Sequence, residues 1–155
     1  MVDLIDQFID SPVLSHNLKI IAHTLSQDNN ITFFTDRSLQ RDSLHIDAID
    51  IGWVVINYDD IEFTASSVLW PSSTKAEMLA CFTALLVTLI NAMVTIQTDS
   101  ATTILDFDKI ADLMHLSVRK REKIPYFQLW MTIAYIISMK NLKLIIVKVK
   151  VHSGN

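Results

Sequence analysis

Residues 78–96 form a run of 19 residues without a formal charge, and this run leaves the chain two architectures. It either crosses a bilayer, for which its length suffices, or it lies inside a protein core. Three features favour the core. Asn91 interrupts the run, together with Thr83, Thr88 and Thr95. Thr74, Lys75 and Glu77 precede it as the polar first turn of a helix. Its last part, Val94-Thr95-Ile96-Gln97-Thr98, is β-branched and reads as a strand. The spacing therefore predicts a buried helix over residues 75–90, a turn near Asn91, and a strand over 94–98, with no membrane span. Half of the 155 residues are apolar, as so enclosed a helix requires. The first residues include Asp3 and Asp6 and no basic stretch, unlike a signal peptide, so an intracellular setting, nuclear or cytoplasmic, is expected.

Around this centre the pattern alternates. Residues 1–30 hold two short helical pieces parted at Ser11-Pro12, with Leu14, Leu18, Ile21, Ala22 and Leu25 at helical spacing. A strand is predicted over 31–35, ending on Asp36, and a polar loop over 37–50. A hairpin follows, with strands 51–58 and 61–69 joined at Asp59-Asp60. After the 94–98 strand, which ends on Asp99, a helix is predicted from Ser100 to about His115. Another starts at Pro125, and a last strand covers 144–151. The order is β-β-β-α-β-α-α-β. It predicts an α/β fold with a mixed five-stranded sheet, its first three strands antiparallel, flanked by helices.

Composition removes several chemistries. One cysteine, Cys81, excludes an internal disulfide framework and a Cys-rich zinc site. Two glycines are too few for a Walker A loop or a GxGxxG turn. The five histidines show no metal-binding spacing, and no GxSxG nucleophile motif is present. The net charge of −4 hides an asymmetry. Residues 1–118 hold 16 acids and 5 bases, whereas residues 119–155 hold 8 bases and 1 acid. A basic last quarter is compatible with a nucleic-acid face on an acidic protein.

Three acids stand at particular places. Asp36 and Asp99 end two predicted strands, and Glu77 lies in the first turn of the central helix. If the two strands are neighbours, the aspartates emerge at one sheet edge, and the helix N-terminus can bring Glu77 alongside. Each acid also has an ordinary role open to it: Glu77 in a capping box with Thr74, Asp99 as a helix N-cap, Asp36 as a turn acid. Together they suggest a cation site, because clustered carboxylates repel unless neutralised. All-oxygen ligation suits Mg²⁺ or Mn²⁺, and two such ions suit in-line phosphodiester hydrolysis.

In sequence order, five segments carry a resemblance. They are Phe34-Thr35-Asp36-Arg37-Ser38, Ile51-Gly52-Trp53-Val54-Val55, residues 72–80 around Glu77, residues 94–100 around Asp99, and residues 147–155 with His152-Ser153-Gly154. Over residues 31–155 the chain resembles a type 1 ribonuclease H domain, in detail that of eukaryotic retroelement reverse transcriptases. Residues 1–30 would be a helical remnant of a preceding connection. The resemblance implies an endonuclease that cuts the RNA strand of an RNA–DNA hybrid, leaving 5′-phosphate and 3′-hydroxyl ends. It makes Asp36, Glu77 and Asp99 ligands of two Mg²⁺ or Mn²⁺ ions and His152 the catalytic loop histidine. It places Ser38, Ser73, Arg119, Lys120, Arg121 and Lys123 against the nucleic acid, and Arg37, where the family has glycine, either adds a phosphate contact or obstructs the close approach of the substrate. It also implies a monomeric unit, with a reverse transcriptase domain as neighbour in a parent polyprotein. Two departures matter. The family's Asp-Gly-Ser is Asp36-Arg37-Ser38 here, and the family's fourth carboxylate lies on a helix beyond Asn155. An alternative reading follows from them: a catalytically impaired, nucleic-acid-binding fragment of a decayed retroelement. Loss of that last helix is expected to bare part of one sheet face.

Overall fold

The structure, a computed structural model, describes residues 4–39, 49–59, 61–66, 73–99, 103–105, 107–108, 117, 119–120 and 126–149, with the side chains of 36–39, 49–51, 66 and 73–76 outside that description. The elements described in full are the helices α1 (Leu4–Phe8), α2 (Pro12–Thr24), α3 (Ser73–Leu86) and α4 (Phe127–Lys140), together with five strands. The strands are β1 (Asn30–Leu39), β2 (Ile49–Val55), β3 (Glu62–Ser66), β4 (Met93–Thr98) and β5 (Lys143–Lys148). They form one sheet of order β3-β2-β1-β4-β5. β1, β2 and β3 pair antiparallel, while β4 and β5 join in parallel. This is the mixed five-stranded architecture expected from the sequence.

Alternation along the strands sends one set of side chains to a buried face. Trp53 is its centre. Phe33 meets it edge-on at 5.0 Å and Phe63 stacks on it at 5.4 Å between ring centroids. Its indole Nε1–H donates to Thr83 Oγ1 at 3.0 Å, and that hydroxyl in turn reaches the Leu79 and Ala80 carbonyls. A buried indole needs such an acceptor, and a buried threonine within a helix finds one in the preceding turn. The aromatic cluster therefore fixes α3 on β2. α3 packs across β1 and β2, and α2 and α4 pack against α3. Leu4, Ile5, Leu18, Ile21 and Leu25 lie in the same apolar cluster, and Phe8 meets Phe82 of α3 and Tyr135 of α4 edge-on. On the opposite sheet face Val54, Met93, Ile145 and Val147 are exposed, Ile145 at 49%.

The uncharged run is divided as expected, but earlier. α3 ends at Leu86, not near residue 90. The cause is a lysine from another helix. Lys140, only 6% exposed, donates from Nζ to the carbonyls of Leu85 (3.0 Å), Leu86 (2.8 Å) and Thr88 (2.7 Å). The last carbonyls of a helix have no partner within it, and a cation there also meets the negative end of the helix dipole. Asn91 and Asn141, with φ of 65° and 53°, turn the chain from α3 into β4 and from α4 into β5. Left-handed backbone is tolerated by asparagine. Asn141 Nδ2 donates to Asn91 Oδ1 at 2.8 Å, and the Asn91 N–H donates to the Lys140 carbonyl at 2.7 Å.

Other boundaries also move. β1 runs on to Leu39, so Asp36 lies inside the strand and not at its end. Pairing of Asp36, Arg37, Ser38 and Leu39 with β2 explains the extension, because the partner strand begins at Ile49, within the expected loop. β2 stops at Val55, since Asn57 takes a left-handed turn (φ 73°) ahead of Asp59. The helix expected over 100–115 is represented by helical residues 103–105 and 107–108.

Gly52 faces Asp36 across the β1–β2 ladder. A Cβ there would lie 2.6 Å from the Phe63 backbone carbonyl and 3.1 Å from Thr64 Cγ2. Gly52→Ala is therefore expected to force β3 away from β2 and to cost about 1–3 kcal/mol, read as a lowered urea midpoint. Lys140→Met removes the ammonium donor from the Leu85, Leu86 and Thr88 carbonyls, of which Leu85 keeps the Thr88 hydroxyl at 2.8 Å. An expected loss of about 2–3 kcal/mol in the same titration checks the cap.

Candidate active site

The register of the sheet brings the site together. β1 and β4 pair in parallel from Asn30↔Met93 to Phe34↔Gln97. Two residues further along both strands, the same register sets Asp36 level with Asp99. Adjacent strands lie about 4.8 Å apart, so the backbones of Asp36 and Asp99 run side by side where β4 ends, while β1 continues to Leu39. The Thr35 hydroxyl donates to the Gln97 carbonyl at 3.4 Å and ties the strands just before this point. Asp99 is exposed, at the bend that ends β4.

Glu77 is half-buried on α3. Thr74 lies within α3, which starts at Ser73, and its side chain is outside the described residues. The carboxylate accepts a 2.6 Å hydrogen bond at Oε2 from Thr103 Oγ1. Thr103 follows Asp99 by four residues and is only 4% exposed. The bond therefore draws the α3 carboxylate toward the segment that continues from Asp99. Nothing in the sequence marks Thr103; the signal is tertiary. One turn after Glu77, Cys81 is fully buried. Burial first, and the negative charge of Glu77 second, push its thiol up to about 12.

The remaining sequence-derived residues divide. Arg37 and Ser38 lie on β1 opposite Ile51 and Asp50, and Ser73 opens α3. Arg119 and Lys120 are exposed and helical, with the Lys120 N–H donating to Ser117 Oγ at 3.3 Å. A hydroxyl accepting from an N–H three residues on is the geometry of a helix N-cap, so the basic residues begin a helical turn. Arg121, Lys123 and His152 lie outside the described residues. Among the described residues, no group of three or more His, Cys, Asp or Glu side chains is placed to hold a metal; the Asp36 side chain is not among them. None of the described helices is long and apolar enough to cross a membrane.

No protein-family model matches the chain, and no curated protein matches it. Solved structures do. The PFV RNase H domain in solution is 20% identical, with a TM-score of 0.56 and 81% of each chain covered. The foamy viral protease-reverse transcriptase in complex with dsDNA is 18% identical, with a TM-score of 0.54, covering 81% of this chain and 84% of that one. The same viral protein in complex with an RNA/DNA hybrid is 17% identical, with a TM-score of 0.53, covering 79% of this chain and 18% of that one.

At pH 8 a thiol of pKa about 12 is ionised to roughly one part in ten thousand. Only the thiolate reacts with iodoacetamide. Alkylation of Cys81 in the native protein is expected to be negligible and to follow the fraction unfolded in urea, which mass spectrometry of quenched samples reads directly. With its strand order, its mixed pairing and these similarities, the chain has a ribonuclease H-like fold.

Proposed function

We propose that this chain is a metal-dependent nuclease that hydrolyses the RNA strand of RNA–DNA hybrids. The observation that carries the reading is the β1–β4 register, which levels Asp36 with Asp99 while Glu77 is bound to the segment beyond Asp99. A purely carboxylate donor set at one sheet edge fits hard divalent cations, and its mutual repulsion needs one. Asp36, Glu77 and Asp99 would hold Mg²⁺ or Mn²⁺. When bound, the two ions supply activation of the attacking water and stabilisation of the leaving 3′ oxygen.

The protein's own groups do the rest. The carboxylates fix the position of the scissile phosphate relative to the sheet edge. Arg119, Lys120, Arg121 and Lys123 supply positive charge for the hybrid backbone. Arg37, Ser38 and Ser73 flank the acids on β1 and at the start of α3, where phosphate oxygens would pass. His152 serves proton transfer near the leaving group. Recognition by backbone charge and groove shape makes binding steeply salt-dependent and indifferent to base sequence. The foamy viral structure solved with an RNA/DNA hybrid supports this substrate class, and its reverse transcriptase supports a domain of that kind as the neighbour in a parent polyprotein.

The test incubates the protein with a hybrid carrying end-labelled RNA and either Mg²⁺ or Mn²⁺. Cleavage to fragments with 3′-hydroxyl ends is expected, with Asp36→Asn lowering the rate more than about 100-fold. Salt-sensitive binding without cleavage would support the impaired, nucleic-acid-binding alternative that Arg37 beside Asp36 suggests. Neither binding nor cleavage overturns both readings.

A further inference from the structure

We propose that Thr103 is the positioning residue for Glu77, holding its carboxylate in the orientation that receives a divalent cation. The inference rests on the nuclease reading above. Three observations carry it. The 2.6 Å bond from Thr103 Oγ1 to Glu77 Oε2 is as short as an O–H donor makes to an ionised carboxylate. Thr103 is buried to 4% exposure, whereas Glu77 is half-buried on a flexible three-torsion side chain. The two residues are 26 positions apart, so the bond links separate parts of the chain, the helix that carries Glu77 and the segment that continues from Asp99.

The donor type fits that task. A hydroxyl orients a carboxylate without adding charge, so the site keeps the full negative charge that a cation needs. A lysine or arginine at position 103 would compete with the metal. Branching at Cβ also restricts the first torsion of threonine, which fixes where the hydroxyl points. Partners of this kind typically change metal affinity by about 10–100-fold when removed.

The experiment titrates Mn²⁺ alone into the full chain and follows free Mn²⁺ by electron paramagnetic resonance, alongside thermal unfolding without metal. Wild type, Thr103→Val, Thr103→Ser and Glu77→Gln are compared. Thr103→Val is expected to weaken Mn²⁺ binding about tenfold, and Thr103→Ser, which keeps the hydroxyl, to retain wild-type affinity. Wild-type affinity in Thr103→Val, with Glu77→Gln impaired, overturns the proposal and leaves the metal site standing. A lowered unfolding midpoint with unchanged affinity does the same, since that is the signature of a purely structural hydroxyl. Wild-type affinity in Glu77→Gln, or no binding by the wild type, overturns the metal-site reading itself. Should Thr103→Val fail to fold, Thr103→Ala reads the same affinity, and Thr103→Ser must match the wild type in either case.

Discussion

The ammonium group of Lys140 is the constraint on which the layout of this fold depends. The uncharged C-terminal part of α3, residues 78–86, ends inside the protein, and its last carbonyls have to be bonded there. Burying an ammonium costs several kcal/mol, and three carbonyls at 2.7–3.0 Å offset that cost while closing the helix. The residue that caps α3 is also the last residue of α4. Both helices are thus bolted together at their C-terminal ends. Asn91 and Asn141, joined by their side chains, then turn both chains out of the helices at the same level. β4 and β5 accordingly enter the sheet in step, from Met93↔Lys143 onward. One buried cation sets the register of half the sheet.

The other half is set by aromatic packing. Trp53 joins β2 to its neighbours through Phe33 and Phe63 and reaches α3 through Thr83. Thr83 lies six residues beyond Glu77 on the same helix, so the bond that holds α3 on the sheet also limits how far Glu77 can turn or slide. At the strands, Gly52 allows β3 to approach β2 directly opposite Asp36. The candidate site therefore rests on three supports that bear no charge: an indole bond, a glycine contact and a hydroxyl at Thr103.

Much of this was legible before any coordinates. The polar residues within the 78–96 run indicated a core helix followed by a strand, and the run is divided in that way. Runs of β-branched and aromatic residues bounded by turn residues located the five strands. Boundaries were less legible. The continuation of β1 through Asp36 to Leu39 depends on a partner strand that supplies hydrogen bonds, and local sequence carries no record of a partner. The early end of α3 depends on Lys140, which reads as an ordinary cation near a helix end. In the site, Asp36, Glu77 and Asp99 were conspicuous by position, whereas Thr103 was one of several threonines.

The sequence by itself determined the elements, their order, the buried character of the central helix, and the three acids singled out on β1, α3 and after β4. Those follow from periodicity and residue type, which act over a few neighbouring positions. Only the tertiary structure decided that Asp36 and Asp99 stand level, that Glu77 is held by Thr103, and that Lys140 closes α3. Each of these joins residues from 26 to 63 positions apart. The first comes from the β1–β4 register, and the other two from polar groups that must find a partner in the folded chain, a demand that arises only once the core has formed.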